Sequence, residues 1–438
     1  MSNLSYKKEI ANASWIIVCR VVQFLLNLLV SLLTARYLGP SNYGVTYYAS
    51  SVSAFFAPIA LMGLNDTFVR ELADYPDQEG ELLGTSLTVN AVSSLISMVF
   101  FNIFVTILNR GDHTTVIYCA IYSVFLLFLN CDITGKWFQA KLLSKHTSIV
   151  SLIAFVISAA YRVFLLATDK SIYWFAVTPV IDYAIISVFM FLLFRRMGPP
   201  LSFSLSRVPV LLDRSRYYVF TSILTASFTT IDKIFIKKIA GSGPNGLYSA
   251  AFSIATATSF VCAAVIDSFR PSLVSLANTD RESYTQRVKT LFSVVIWITI
   301  IQNTVFTLFG GTIVDVMLGE QYTDAVPVFR LLTWETTFSY LGSAKNVWIL
   351  ANDKHKYLWK INIIGAAMGL IMNYLFIKAF NIMGAALASV LTQFVTNFLV
   401  NYIFSDIRPV NRLILESLNP RYLIAFLRNI FSELHSKE

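Results

Sequence analysis

The sequence predicts an all-α membrane protein with about twelve transmembrane helices in two six-helix lobes. This prediction rests on the composition, on the spacing of apolar blocks and on an internal repeat. Of the 438 residues, 56% are hydrophobic and 13% are charged, whereas about a quarter of the residues of a soluble domain are charged. The apolar residues fall in blocks of roughly 20, the length at which a helix crosses ~30 Å of hydrocarbon.

Hydropathy places the blocks in two sets of six, separated by segments that contain Gly, Pro and charged residues. The first set is Ala11–Tyr37, Val45–Asn65, Leu83–Leu108, Val116–Cys131, Ser148–Thr168 and Ile172–Phe194. The second set is Tyr218–Ala240, Leu247–Phe269, Thr290–Phe309, Val326–Ala351, Tyr357–Phe380 and Met383–Phe404. The first apolar run has no small-residue cleavage motif, so we expect it to be kept as a membrane helix.

The distribution of Lys and Arg predicts the orientation. If the N-terminus is cytoplasmic, 23 of the 34 Lys and Arg lie on the cytoplasmic side, 6 on the other side and 5 within spans. Cytoplasmic loops are enriched in Lys and Arg, so both termini are predicted to be cytoplasmic. The domains predicted on this basis are an N-terminal lobe (1–196), a cytoplasmic linker (197–217), a C-terminal lobe (218–404) and a cytoplasmic tail (405–438). The tail has an amphipathic pattern, which favours an interfacial helix over a frayed end.

The two halves share a repeat at an offset of 202 residues, the separation of Arg36 and Lys238. The segment RYLGPSNYGVTYYAS from Arg36 resembles KIAGSGPNGLYSAAF from Lys238, and Gly39 aligns with Gly241. Both segments follow the first helix of a set. Because both sets begin on the same side, the repeat predicts parallel lobes related by an axis normal to the membrane. Chance likeness between glycine-bearing turns is the alternative.

Several spans carry polar residues at helical spacing. The first span has five on one face: Arg20, Gln23, Asn27, Ser31 and Thr34. The seventh span has a comparable stripe of Ser222, Thr225, Thr229, Asp232 and Lys233, and the fifth has Ser151, Ser158 and Arg162 on one face. A polar stripe against lipid is costly, so these faces should contact protein or water. Hydrogen bonding between helices within a lobe is the alternative to a substrate path.

Charged residues inside spans are the most informative of these groups, because each costs ~2.5 kcal/mol or more in hydrocarbon and usually marks a pathway. The bases are Arg20, Arg162, Lys233, Arg330 and Lys345, and the acids are Asp182, Asp232 and Glu335. The acids could hold the bases in place or carry a coupling proton or ion. Asp232 and Lys233 cannot simply be called an ion pair, because adjacent residues of a helix point in different directions.

Three segments carry a family resemblance: ARYLGPSNYG after the first span, LNDTFVREL after the second, and IDKIFIKKIAG with GLYSAA at the seventh and eighth. With these segments the chain resembles the Wzx-type polysaccharide flippases, whose superfamily also holds MATE multidrug exporters and lipid II flippases. The resemblance covers nearly the whole chain. It implies a V-shaped cavity between two lobes, open to one side at a time, in the bacterial inner membrane.

The resemblance also implies the substrate, undecaprenyl-pyrophosphate-linked oligosaccharide repeat units moved from the cytoplasmic to the periplasmic leaflet, as in O-antigen and lipopolysaccharide biosynthesis. Implied partners are membrane lipids, a polysaccharide polymerase and a chain-length regulator, with no nucleic acid. No cofactor is implied, and an H⁺ or Na⁺ gradient is the candidate energy source. A pyrophosphate crossing hydrocarbon needs cationic partners in a water-filled cavity. The expected cavity residues are Arg20, Gln23, Asn27, Arg162, Lys233, Arg330 and Lys345, with Asp182, Asp232 and Glu335 for ion coupling or charge pairing.

Two other functions stay open. A MATE-type cation-coupled drug antiporter would favour acids over bases in its cavity, whereas five bases here face three acids. A membrane glycosyltransferase or glycan polymerase usually needs a sizeable loop outside the membrane, and the longest such loop, 310–325, is short. The sequence has no Walker A motif, and its 4 Cys and 4 His lack metal-ligand spacing.

Overall fold

The computed structural model describes the backbone of residues 3–277 and 279–435. Side chains are described from residue 21 to 428, apart from 66, 228 and 278, and at Ser432. Every regular element within these ranges is helical, which confirms the predicted all-α membrane fold.

The chain forms two compact units, residues 1–238 and 239–438. The helices of the first unit are α1 (Asn3–Leu61), α2 (Leu64–Asp74), α3 (Glu79–Leu108), α4 (His113–Ser123), α5 (Phe125–Phe128), α6 (Asp132–Ala140), α7 (Ser144–Ala167), α8 (Ile172–Phe175), α9 (Thr178–Met197) and α10 (Val208–Ile239). Those of the second unit are α11 (Ser242–Ala255), α12 (Ser259–Leu276), α13 (Arg281–Leu308), α14 (Gly310–Leu318), α15 (Val326–Ala351), α16 (Leu358–Asn397), α17 (Pro409–Glu416) and α18 (Arg421–His435).

The described residues contain eight helical segments that are long and apolar enough to cross a membrane, and nine if the bent helix α10 is included. Two of the eight, Val21–Leu61 and His355–Tyr402, are 41 and 48 residues long, about twice the length of one crossing. Each contains a backbone break, at Gly39 and at Asn381 respectively. The break within each long segment is therefore consistent with two successive membrane crossings per segment. The count of twelve crossings stays a prediction.

The repeated glycine turn has the same backbone conformation in both halves. Gly39 has φ +70° and ψ 169°, and Gly241 has φ +102° and ψ −179°. L-residues with a Cβ rarely adopt this combination, which explains the glycine at both positions. In each half a new helix starts directly after the glycine, at Pro40 or at Ser242. The sequence repeat is thus also a repeat of local structure.

One helix, α10, joins the predicted linker to the predicted seventh span. It begins at Val208, inside the linker of 197–217, and bends by 51° between Ser227 and Thr229. The hydroxyls of Ser227 and Thr230 donate to Ile223 and Ala226 carbonyls one turn earlier, a contact that often bends helices.

Both ends of α10 are bound to the first unit. Near its start, Arg214 forms an ion pair with the buried Glu71. At its other end, Lys237 Nζ lies 2.7 Å from Asp112 Oδ2. Packing therefore groups α10 with the first unit. The sequence had assigned the part of α10 from residue 218 onward to the second lobe. The functional division into lobes stays a prediction.

The segment before α10 packs closely on α3. A Cβ on Gly80 would lie 2.2 Å from the Pro200 carbonyl oxygen, and one on Gly84 would lie 2.2 Å from that of Ser202. Arg207 Nε donates to Glu81 Oε1 at 2.8 Å. The predicted linker is therefore held on the first unit rather than extended away from it.

The tail contains two helices, α17 and α18. Lys289 of α13 forms an ion pair of 2.6 Å with Glu416 of α17, and the rings of Phe269 and Phe426 lie 5.6 Å apart, which places α18 against α12 and α13. The predicted position of the tail on a membrane surface stays a prediction.

Candidate functional site

A cavity of about 270 Å³ lies within the first unit, among α1, α4, α7 and α9. Its wall is rich in hydroxyl groups and aromatic rings, and it contains one base, one acid and one amide. The lining residues are Asn27, Ser31, Thr34, Tyr43, Thr46, Tyr47, Ser50, Tyr118, Tyr122, Arg162, Phe175, Thr178, Pro179 and Asp182. A polar cavity of this kind inside membrane-spanning helices is a candidate ligand site, because polar groups in such helices face protein or water rather than lipid.

Arg162 of α7 is the base of this cavity. Its Nε is buried and has no hydrogen-bond partner among the described residues. No described carboxylate lies within 4.0 Å of its guanidinium, so it belongs to none of the ion pairs found in that part of the chain. A guanidinium presents five donors in a planar fork that matches phosphate or carboxylate oxygens. Arg162 therefore offers donors and a positive charge that is in no direct ion pair among the described residues.

Asp182 of α9 is the acid of the same cavity. Its Oδ1 accepts a hydrogen bond of 3.4 Å from Ser158 Oγ, a residue of α7. The sequence predicted Ser158 and Arg162 on one face of the fifth span, and the structure places both beside Asp182. The carboxylate and the guanidinium thus share one cavity without being paired directly.

The polar stripe of the first span supplies part of the wall. Asn27, Ser31 and Thr34 line the cavity, as expected for a polar face turned towards protein or water. Ser31 Oγ lies 2.8 Å from Tyr43 Oη. Gln23 is half-buried and is not part of the wall, and the side chain of Arg20 lies outside the described residues.

Four tyrosines of the wall were missed by sequence reasoning. The ring centroids of Tyr43 and Tyr47 lie 4.9 Å apart, and those of Tyr118 and Tyr122 lie 6.2 Å apart. Each pair is spaced i,i+4, so both members lie on one helix face. That spacing is visible in the sequence, but an aromatic pair in an apolar span is ordinarily attributed to packing.

Lys233 and Asp232 form an ion pair, which their adjacent positions in the sequence had left open. Lys233 Nζ lies 3.3 Å from both carboxylate oxygens of Asp232, and both residues are almost fully buried. The pair can form between adjacent residues because the four-carbon stem of lysine is long enough to fold back along the helix surface. The charges of this pair neutralise each other locally, and a role of Lys233 in substrate binding stays a prediction.

The remaining predicted site residues lie on α15 of the second unit. Lys345 is fully buried, and its Nζ donates to the Thr396 carbonyl, Asn397 Oδ1 and Asn401 Oδ1 at 3.2, 3.2 and 3.4 Å. Glu335 is buried and Arg330 is exposed. Their predicted roles in substrate binding and ion coupling stay predictions.

Two further cavities lie near helix ends rather than within the bundle. One, of about 360 Å³, lies between Glu71, Glu81, Arg207 and Arg214, whose charges are paired. The other, of about 680 Å³, lies between α13 and α18. At its edge Asp280 caps α13 by accepting hydrogen bonds of 3.1 Å from two backbone amides. A hydrogen bond from the Ser283 side chain, together with those from the amides, lowers the pKa of Asp280. The first of these cavities has only ion-paired bases in its wall. In the second, Arg287 donates to Ser272 Oγ and lies over the Phe269 ring, and the cavity lies near helix ends rather than within the bundle.

Comparison with known proteins agrees with this architecture. The family model described as "Polysaccharide biosynthesis protein" matches residues 10–277. The capsular polysaccharide biosynthesis protein CapF of Staphylococcus aureus is 20% identical over 401 residues, which cover 90% of this chain and 98% of CapF.

Solved structures of transporters have the same fold. Lipid II flippase MurJ in an inward closed conformation matches with a TM-score of 0.74 at 14% identity, over 94% of this chain and 92% of MurJ. An inward-facing MATE family multidrug resistance transporter of the MOP superfamily matches with a TM-score of 0.65 at 14% identity, over 92% of this chain and 99% of that one. Identities this low show the fold alone. Because the family model covers more than half of the sequence, the chain belongs to the polysaccharide biosynthesis protein family, with the fold of the MurJ and MATE transporters.

Proposed function

We propose that the protein is a flippase that moves undecaprenyl-pyrophosphate-linked oligosaccharide repeat units from the cytoplasmic to the periplasmic leaflet of a bacterial inner membrane. Transport by alternating access, with both termini cytoplasmic, is part of the proposal. A polymerase and a chain-length regulator would then act on the delivered unit. Family membership supports the polysaccharide part of this proposal, and the shared fold supports the transporter part.

The observation that carries the proposal is Arg162. A pyrophosphate that leaves water needs fixed donors and positive charge along its path. Arg162 provides both inside a polar cavity of a membrane-spanning bundle, and its Nε has no partner among the described residues. The positive charge of Arg162 would repel a cationic drug, so a drug antiporter fits this cavity less well than a flippase for an anionic substrate.

The experiment is complementation of a strain that lacks the gene, with surface glycan as the readout and membrane protein level as the check on folding. We expect Arg162→Ala to lower surface glycan about tenfold or more at normal protein level, since a hydrogen bond to a charged group contributes ~1.5–3 kcal/mol. Arg162→Lys should keep part of the activity, because an ammonium supplies charge without the planar fork. Lipid-linked repeat units should accumulate in the cytoplasmic leaflet.

The matched control is Arg110→Ala, an exposed arginine outside the cavity wall, which should leave surface glycan unchanged. Wild-type amounts of surface glycan in the Arg162→Ala strain would remove Arg162 from the transport path. Unchanged surface glycan in the strain that lacks the gene would remove the proposed function itself.

A further inference from the structure

We infer that the cavity in the first unit binds one monosaccharide together with the phosphate that it carries, and that Asp182 is the residue that selects the sugar. This inference rests on the proposed function, because it assigns the part of the lipid-linked substrate that this cavity holds.

The first step is the charge in the cavity. Arg162 and Asp182 both line it, yet they do not form a direct ion pair, and Asp182 has one described hydrogen bond, a long one of 3.4 Å from Ser158. Phosphate alone would satisfy Arg162 and be repelled by Asp182, whereas a cation alone would do the reverse. A phosphorylated polyol satisfies both groups, because its phosphate accepts from the guanidinium while its hydroxyls donate to the carboxylate.

The second step is the size. The cavity volume of about 270 Å³ lies just below the range of ~300–1,000 Å³ that pockets for drug-sized ligands have. This space suits one pyranose ring and is too small for an oligosaccharide. The sugars farther from the lipid must therefore lie outside this cavity, and the selection made here concerns the sugar next to the phosphate.

The third step is the wall. The Tyr43–Tyr47 and Tyr118–Tyr122 pairs supply aromatic surface, against which the C–H face of a pyranose can pack. Tyrosine combines this apolar face with a hydroxyl that reaches polar partners. Asn27 adds an amide with two donors and an acceptor. Aromatic faces combined with planar polar groups fit a ligand that has both C–H faces and hydroxyl edges.

The test is calorimetric titration of the full-length protein in nanodiscs of neutral lipid. The probes are glucose 1-phosphate, inorganic phosphate and glycerol 3-phosphate, the last of which represents a lipid headgroup. We expect glucose 1-phosphate to bind at least about tenfold more tightly than the other two. Asp182→Ala should reduce that preference to less than about threefold while phosphate binds as well or better, and Asp182→Asn should keep part of it because its oxygen still accepts hydrogen bonds.

Two variants act as controls. Arg162→Met should abolish binding of all three probes, and Asp324→Ala, at an exposed acid of the second unit, should change nothing. Equal affinity for glucose 1-phosphate and glycerol 3-phosphate in the wild type would overturn the inference in favour of a simple anion or headgroup site. A preference that survives Asp182→Ala would overturn the role of Asp182. Neither result would change the outcome of the complementation test, so the proposed function is tested independently of this inference.

Discussion

The contact between Asp112 and Lys237 should stabilise the first unit in two separable ways. Asp112 precedes α4, and its carboxylate accepts from Thr115 N at 3.0 Å and from Thr115 Oγ1 at 2.6 Å, so it is the N-cap of that helix. The same carboxylate pairs with Lys237 at the end of α10. Replacing Asp112 by Asn keeps an N-cap oxygen and removes the charge, whereas replacing it by Ala removes both.

The two contributions can be estimated from the geometry. A charge-assisted hydrogen bond of 2.7 Å can contribute ~1.5–3 kcal/mol when buried. The Lys237 side chain is 7% exposed, but that of Asp112 is 38% exposed, so solvent screening reduces the value of the pair to about 1 kcal/mol. Loss of an N-cap costs about 1 kcal/mol. We therefore expect Asp112→Asn to lose about 1 kcal/mol and Asp112→Ala about 2 kcal/mol of stability.

The assay is thermal and denaturant unfolding of the purified protein in one detergent, at fixed lipid content. The expected order of stability is wild type, then Asp112→Asn, then Asp112→Ala. A double-mutant cycle of Asp112→Asn with Lys237→Met should give a coupling of about 1 kcal/mol. Equal stability of Asp112→Asn and wild type, together with zero coupling, would refute the contribution of the ion pair. Equal stability of the Asn and Ala variants would refute the contribution of the cap.

The pH dependence checks the same carboxylate. Burial tends to raise the pKa of Asp112, but the hydrogen bonds from Lys237 and Thr115 outweigh it and lower the pKa below its usual value. A group with a lowered pKa in the folded state stabilises fully above its unfolded pKa, about 3.9 for Asp, and loses that contribution as the pH falls through the folded value. The stability difference between wild type and Asp112→Asn should therefore be constant near neutral pH and shrink in acid below about pH 4.

Three further predictions concern backbone, burial and orientation. Gly63→Ala should destabilise the first unit strongly, because φ at this residue is +63° and the new Cβ would lie 2.7 Å from the Ser215 carbonyl oxygen. As a control, Gly111→Ala, where φ is +89° and the Cβ would meet open space, should lower the free energy of unfolding by only about 1 kcal/mol. Lys345→Ala should lower the free energy of unfolding by about 3 kcal/mol, because two buried acceptors and one partly buried acceptor lose their donor while the cost of one buried charge is removed. Lys378→Ala, at an exposed lysine, should show no loss. Cysteines at Asn42 and Gly243 should react with an impermeant reagent in intact cells and one at Ser206 should not; labelling at Ser206 would reverse the predicted orientation.

The helical architecture was predictable because bilayer thickness imposes it. Apolar blocks of the right length and glycine turns at fixed spacing define helices and breaks, and Gly39 and Gly241 break their helices as the repeat predicted. The packing of α10 was not predictable in the same way. Its attachment to the first unit depends on contacts such as Arg214 with Glu71, residues 143 positions apart, and hydropathy contains no information about such pairs.

The candidate site was predicted in part, for a related reason. Helical spacing brought Asn27, Ser31 and Arg162 into consideration, and the high cost of intramembrane charge added Asp182. Which of these groups meet depends on how α1, α7 and α9 pack, so the sequence could not separate Arg162 and Asp182, which share a cavity, from Lys345, which is fully enclosed by oxygen acceptors. The tyrosines were missed because an aromatic ring in a span carries no cost that would distinguish a binding role from packing.

The two halves of the repeat use the same polar positions differently. In α1 the polar face lines the cavity that contains Arg162, whereas in α10 the charged end of the corresponding stripe is an internal ion pair between Lys233 and Asp232. An adjacent pair of opposite charges is neutral, so it lowers the cost of burial and leaves little field for a ligand. Arg162 is in no direct ion pair among the described residues and shares its cavity with Asp182, so a bound anion would offset the part of its burial cost that Asp182 leaves. Selection for stability alone would favour the arrangement in α10, and the one around Arg162 is therefore the half of the repeat in which we expect the ligand chemistry.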